Sequence, residues 1–267
     1  MLKVNRSTYY KNFNATPSTR ELENQALKSD ILVIYSRSNK RLGAYKIRQR
    51  FLVEYNKKVS PGRVYRLTKS MTLPKMSTVK PKVIRSKEIT ESFQNHLRQN
   101  FNPKSPNQVW VSDITYVRVS GRFCYVCAIM DLFSRKIIGY KTSINIDTNL
   151  VIDTFSLAYQ KRRFPKGVMF HSVKGSQYTA RVFRKILDEA SFVQSFSAKG
   201  HPFDNAVMES FFKFLKHEEL NRRTFSSITE LHLALFEYFE GFYNKNRPHS
   251  ANNYLSPLEK EYAFFNS

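Results

Sequence analysis

The succession of apolar and polar runs in this 267-residue sequence predicts an α/β protein, a mixed sheet with helices on both faces, preceded by a small, basic, all-helical segment. Three observations predict it. Strand-like runs at Val109 to Val119, Phe123 to Asp131 and Lys136 to Ser143 come in succession, and beyond them helical and strand-like stretches alternate. Ahead of them, the apolar residues follow helical spacing instead. The charge is also lopsided: residues 1–100 hold 22 Lys+Arg against 6 Asp+Glu, so +16 of the net +23 lies there. Such an excess implies a polyanionic partner, because each basic side chain set against a phosphate releases condensed counterions.

In the front segment, Ala44, Ile47, Phe51 and Tyr55 recur at helical spacing, with Lys46, Arg48 and Arg50 placed elsewhere on the surface. Ser60 followed by Pro61 offers an N-cap and a first-turn proline for a second helix reaching about Met71, its stripe Val64, Leu67 and Met71 turned inward. On the remaining surface Arg63, Arg66 and Lys69 recur every third residue. That pattern suits a helix laid on DNA, and it equally suits a solvated basic face. The organisation is therefore a basic helix-turn-helix-like segment over 1–72, a Lys-, Ser-, Pro- and Asn-rich linker over 73–107 with a short helix about Ile89 to Leu97, and a core over 108–267.

In the core, Ser120-Gly121-Arg122 between the first two strands signals a tight antiparallel hairpin. A helix follows from Thr148 to Lys161, then a strand Val168 to His171, a helix Ala180 to Ala190 and a strand Phe192 to Ser197. Two long helices, Asn205 to Asn221 and Ile228 to Tyr243, complete the pattern. The longest apolar stretch, Phe123 to Met130, has strand length and falls far short of the roughly 20 residues of a membrane span. The opening MLKVNRSTYYKNFN has no signal-peptide core, so the expected location is the cytoplasm, with no membrane partner. Cys124 and Cys127 form a lone C-x-x-C with no second pair to complete a zinc site, and read as small strand residues.

Two acidic positions stand out. Asp113 interrupts the apolar, β-branched run Val109 to Val117, where a carboxylate is costly to bury unless a cation or a hydrogen-bonding bulge balances it. Asp131, before Phe133-Ser134-Arg135, reads as a turn-former or a partner of Arg135. Further on, Asp204 is a natural N-cap for a helix that sets Glu209, Lys213 and Lys216 on one face and Met208, Phe211, Phe212 and Leu215 on the other. That stripe is either an ordinary i,i+4 ion pair or a metal-bound glutamate flanked by lysines that hold phosphates.

The runs VWVSDITYV (109–117), FHSVKGSQY (170–178), KGHPFDNAVMESFFKFLKHE (199–218) and YNKNRPHS with LSPLE (243–259) closely resemble the second-frame transposases of bacterial insertion sequences. NKRLGAYKIRQRFL and VSPGRVYRL resemble that family's helix-turn-helix segment, so the resemblance covers nearly the whole chain. It implies a ribonuclease-H-like five-stranded core of the retroviral-integrase kind, with an Asp, Asp, Glu catalytic set. Carried over, Asp113 matches the first carboxylate and Glu209 the third, both as metal ligands. At the second position His171-Ser172 is followed by Val173 where the family has aspartate, and the 35 residues between Val173 and Glu209 keep the family's interval. Ala198 and Pro202-Phe203 also depart from the family pattern.

The resemblance further implies two divalent ions, Mg²⁺ or Mn²⁺, held between the carboxylates. One activates a water or a 3′-hydroxyl for attack on phosphorus and the other stabilises the leaving oxygen. Lys213 and Lys216 would position DNA phosphates, and Arg63, Arg66 and Lys69 the element end. Implied partners are the element-end and target DNA, other copies of the chain in a multimer, and an upstream-frame helix-turn-helix protein. With Val173 in place of an acid, the expectation is a transposase of impaired catalysis, and the rival reading is an inactive DNA-binding relic that competes with an active one.

Overall fold

The computed structural model describes residues 17–73, 93–198 and 202–266. They fall into two compact units, residues 17–73 and the described residues from 93 to 266.

The first unit consists of three helices: α1 (Thr19–Arg37), α2 (Ala44–Tyr55) and α3 (Pro61–Ser70). α1 starts at a capping box in which Ser18 accepts from the Glu21 N–H and the Glu21 carboxylate accepts from the Ser18 N–H. α2 ends at Asn56 in the left-handed conformation (φ 49°), and α3 begins at Ser60, whose hydroxyl accepts from the Arg63 N–H. Ile31, Ile34, Ile47, Phe51, Val64 and Leu67 close the core between them. Helix α1 was not among the expected elements, although Ser18, Glu21 and the spacing Leu27, Ile31, Ile34 signal it. Arg50, expected on the surface, is buried and paired with Glu54 at 3.5 Å.

The second unit is built on a five-stranded sheet: β1 (Val109–Val119), β2 (Arg122–Asp131), β3 (Lys136–Ser143), β4 (Met169–Ser172) and β5 (Val193–Phe196). Their order is β3-β2-β1-β4-β5, with β1–β2 and β2–β3 antiparallel and β1–β4 and β4–β5 parallel. The β1–β2 hairpin turns on Ser120 (φ 46°) and Gly121 (φ 77°), so both central residues take the positive φ of a type I′ turn and Arg122 already belongs to β2. One sheet face is covered by α4 (Thr148–Lys161), the single turn α5 (Ser176–Thr179) and α6 (Arg181–Glu189), which close a core around Trp110, Ile129, Phe155, Phe170 and Phe183. α4 comes so near β3 that a Cβ on Gly139 would lie 2.8 Å from Ala158 Cβ, which leaves room only for glycine.

The other face carries α7 (Ala206–Glu218), then α8 (Ile228–Phe236), which runs on as a π-helical stretch Glu237–Tyr243, and α9 (Pro257–Phe265). The long helix expected at 228–243 is thus α-helical only in its first half. α9 was not foreseen from the sequence, although Ser256, Pro257 and Glu259 make a full capping box. Residues 93–97 are not helical, and the rest of the helix expected about Ile89 to Leu97 lies outside the described residues. Phe93 instead packs its ring against Phe196, tilted by 44° with centroids 4.6 Å apart. Both cysteines are buried single thiols; Cys124 Sγ lies 3.3 Å from the Ser143 carbonyl oxygen, and burial pushes the Cys127 thiol up to about 11. Among the described residues no helix is long and apolar enough to cross a membrane.

Candidate active site

β1 and β4 run side by side with their last parallel pair at Ser112↔Ser172. The next residues along each chain are Asp113 and Val173, so the two stand at the same level on neighbouring strands, which lie roughly 4.8 Å apart. Asp113 is only partly covered, and its Oδ1 accepts the Ile114 N–H at 2.8 Å. Its pKa is pushed up to about 7: burial is the main cause and the Glu209 charge adds to it, against the Ile114 N–H and Lys216. Val173 is half-buried and packs its methyl groups against the apolar cluster around Trp110 and Phe170.

α7 supplies the opposing wall. Met208, Phe211, Phe212 and Leu215 are buried, while Glu209 and Lys213 are exposed. Partial burial raises the Glu209 pKa. Lys216, one face with Glu209 and seven residues on, lays its ammonium 4.4 Å above the centroid of Tyr116 on β1. Burial lowers the Lys216 pKa and the Asp113 charge raises it, which puts the two side chains in electrostatic contact. Asp113 thus lies within reach of the charges of Glu209 and Lys216, Val173 follows the β4 residue paired beside it, and Lys213 is exposed one turn beyond Glu209.

Asn205, expected from the sequence only as the start of a long helix, fixes the head of α7 on β1. Its Nδ2 donates to the Ser112 carbonyl at 3.2 Å, one residue before Asp113. On the opposite side, the Ser112 hydroxyl meets Tyr178 Oη at 2.9 Å and donates to the Ala128 carbonyl at 3.0 Å, so the backbone at Asp113 is held from both faces. Asp204 is not the helix N-cap. Its carboxylate instead accepts from the Ala198 N–H, Asn95 Nδ2 and Gln99 Nε2, which takes it out of reach of the first helical turn.

His171 and Asp131, the nearest other ligand-type side chains along β4 and β2, are engaged elsewhere. His171 is fully buried with Nδ1 on Ser195 Oγ at 2.9 Å and Nε2 on Ser197 Oγ at 3.3 Å, and burial pushes its pKa down to about 4 against the pull of Asp204. Asp131 stands opposite Trp110, three residues short of Asp113 along β1. It accepts from the Phe133 and Asn107 N–H groups, as a turn-former does, but its ion-pair partner is Arg162 at 3.0 Å. Arg135 turns instead to the Phe101 carbonyl at 2.7 Å. Among the described residues no three His, Cys, Asp or Glu side chains gather as a metal site.

Of the basic residues expected to hold DNA on the first unit, Arg66 and Lys69 are exposed on α3. Arg63 is not free: Nε donates to Asn24 Oδ1 and Nη2 to Glu23 Oε2, each at 2.9 Å, because the unforeseen α1 lies against it.

Comparison with known proteins accounts for this architecture. Residues 103–202 match the integrase core domain, and residues 191–257 match a second family of the same description. The transposase for insertion sequence element IS904 of Lactococcus lactis subsp. lactis (strain IL1403) is 34% identical over 252 residues, 94% of this chain and 98% of that protein. The transposase InsF for insertion sequence IS3A of Escherichia coli (strain K12) is 31% identical over 266 residues, 98% of this chain and 91% of that protein. A solved simian T-cell lymphotropic virus intasome aligns with a TM-score of 0.47 at 12% identity, over 85% of this chain and 73% of that one. The mixed sheet with helices on both faces is thus a ribonuclease-H-like integrase core, and the chain belongs to the insertion-sequence transposase family. Transposition of an insertion sequence is the process it serves.

Proposed function

We propose that Asp113 and Glu209 are the first and third carboxylates of a DNA strand-cleavage and strand-transfer centre, that Val173 stands at the second, and that the chain in this form cleaves and joins DNA poorly. The observation that carries the reading is the pairing at the strand ends: an acid in mid-sheet, within reach of the charges of Glu209 and Lys216, has a methyl-bearing neighbour where a third acid would sit. Three carboxylates would hold two divalent ions, Mg²⁺ or Mn²⁺, for in-line attack on a phosphodiester. Val173 has nearly the volume of aspartate, so it fits the strand end, but it offers no lone pair. Lys216, and Lys213 beyond it, would hold the phosphates of the DNA. In the same reading, residues 1–72 bind element ends through Arg66, Lys69 and the surrounding basic surface, residues 73–107 link them to the core over 108–267, and several copies assemble on two ends. A second reading, a DNA-binding competitor without chemistry, is favoured by the same valine.

The test is cleavage of an element-end duplex with Mg²⁺ or Mn²⁺ by the natural chain and by Val173→Asp. The substitution is expected to raise the rate by roughly 10²- to 10⁴-fold, the worth of several kcal/mol of transition-state stabilisation. Equal, robust cleavage by both proteins would overturn the assignment of the three positions. Inactivity of both, with duplex binding intact, would select the competitor reading.

A further inference from the structure

β1 outruns β4. The two pair only as far as Ser112 and Ser172, and beyond them β1 continues to Val119 against β2. In that stretch Tyr116 stands opposite Tyr125 and Arg118 opposite Phe123, and opposite residues of an antiparallel pair share a face of the sheet. Tyr116 and Phe123 meet there edge to face, with ring centroids 5.3 Å apart. Each ring also carries a cation. Lys216 Nζ lies 4.4 Å from the Tyr116 centroid, and the Arg118 guanidinium 5.2 Å from that of Phe123.

Phe123 still leaves 47% of its surface to water. Arg118 and Arg122 are exposed, neither has a carboxylate partner among the described residues, and residues 114–130 contain no Asp or Glu. The turn between the strands is fixed from below: Ser120 donates from its N–H to the Phe225 carbonyl at 2.9 Å and from its hydroxyl to the Ser226 carbonyl. A fixed surface with an open ring between unpaired cations suits single-stranded nucleic acid, whose bases stack on the ring while the arginines hold its backbone. Duplex DNA would use the cations alone, because its bases already stack on one another.

We propose that the end of the β1–β2 hairpin holds an unpaired stretch of DNA strand, one base stacked on Phe123 and its flanking phosphates on Arg118 and Arg122. The surface lies on the strand that carries Asp113, and Lys216, which covers Tyr116 and feels the Asp113 charge, joins the two. The placement rests on the reading of Asp113 as a cleavage carboxylate: the unpaired stretch is then the strand end beside the cleaved phosphodiester.

The full chain in chelator-containing buffer is titrated against a dye-labelled blunt duplex, and against the same duplex extended by a single-stranded overhang that carries 2-aminopurine. The overhang is expected to tighten binding about tenfold, the scale of one base–aromatic stack, and to lose 2-aminopurine emission on binding. Phe123→Leu should abolish both effects and leave the Tm and the blunt-duplex affinity unchanged, while Phe123→Trp should keep them. Arg122→Ala, at an exposed position, should lower the slope of log K against log[salt] by about 0.7 for the extended duplex and leave that for the blunt one unchanged. Binding and not cleavage is read, so the outcome stands apart from whether Asp113 and Glu209 carry chemistry. Equal binding of the blunt and extended duplexes, or an overhang effect that survives Phe123→Leu, would overturn the proposal.

Discussion

Two carboxylate groupings of the second unit, Asp131 with Glu261 and Asp113 with Glu209, are balanced differently. Asp131 and Glu261 share Arg162, and Glu261 takes Lys136 as well at 2.7 Å. Burial alone would raise Glu261, but the hydrogen bonds and charges of Arg162 and Lys136 hold it below the usual carboxylate range. Asp131, with only a share of one guanidinium, is pushed up to about 6 by burial. Asp113 and Glu209 have no guanidinium between them; Lys216 acts only at a distance and spends itself partly on Tyr116. The first grouping locks β2, β3, α4 and α9 together, and the second leaves Asp113, in mid-sheet, and Glu209 without a cation of their own. A carboxylate that serves stability comes with its cation, while one available for chemistry does not.

The largest effect expected from this contrast is on stability. Arg162→Met leaves Asp131 and Glu261, 0% and 5% exposed at their side chains, facing each other with Lys136 alone. Removing one partner from a buried ionic group costs about 3–5 kcal/mol, so the core should unfold at markedly lower denaturant. Urea unfolding of the two proteins measures it. A loss below about 1 kcal/mol, the scale of a surface pair, would erase the distinction between the two groupings.

Asp113 should show the opposite sign. Its folded pKa of about 7 stands above the ordinary 3.8, so its contribution to stability is complete below about pH 4 and is lost as pH rises through 7. Asp113→Asn keeps an acceptor for the Ile114 N–H and removes the charge. In chelator-containing buffer the variant is expected to match the natural chain near pH 4 and to exceed it by roughly 2 kcal/mol at pH 8, a figure discounted for the part of the carboxylate that water still reaches. Parallel stability curves across that range would show that Asp113 is not under strain.

Much of the fold was legible because its signals are local. β1, β3 and α4 begin and end where alternation, the Ser-Gly turn and helical spacing place them. What escaped depends on distant partners. α1 and α9 carry capping boxes but mixed faces, and their meaning comes from Arg63, Lys136 and Arg162, 40 to 125 residues away. Asp204 looked like a cap because Ser, Thr, Asn and Asp favour that place, and only the fold shows its oxygens given to Asn95 and Gln99. The candidate site was half legible. Asp113 was conspicuous in its strand, but the Glu209 stripe alone fitted an ordinary ion pair, and it took the family resemblance to separate the two.

The same contrast between spent and unspent charge makes the smallest prediction, on the first unit. Arg63, Arg66 and Lys69 look equivalent in sequence, one every third residue. Arg63 is bound to Asn24 and Glu23, with 28% of its side chain exposed, whereas Arg66 and Lys69 are exposed and have no partner among the described residues. A cation already neutralised by a carboxylate releases few counterions when DNA arrives, but a free one releases about 0.9 per phosphate contacted. In a titration of duplex against the full chain at increasing KCl, Arg66→Ala and Lys69→Ala should therefore each lower the slope of log K against log[salt] by about 0.9. Arg63→Ala should leave the slope within error and cost at most about 1 kcal/mol of stability through the lost Glu23 pair. A slope reduced equally by all three substitutions would mean that DNA takes Arg63 away from Glu23, and that α1 does not hold it in reserve.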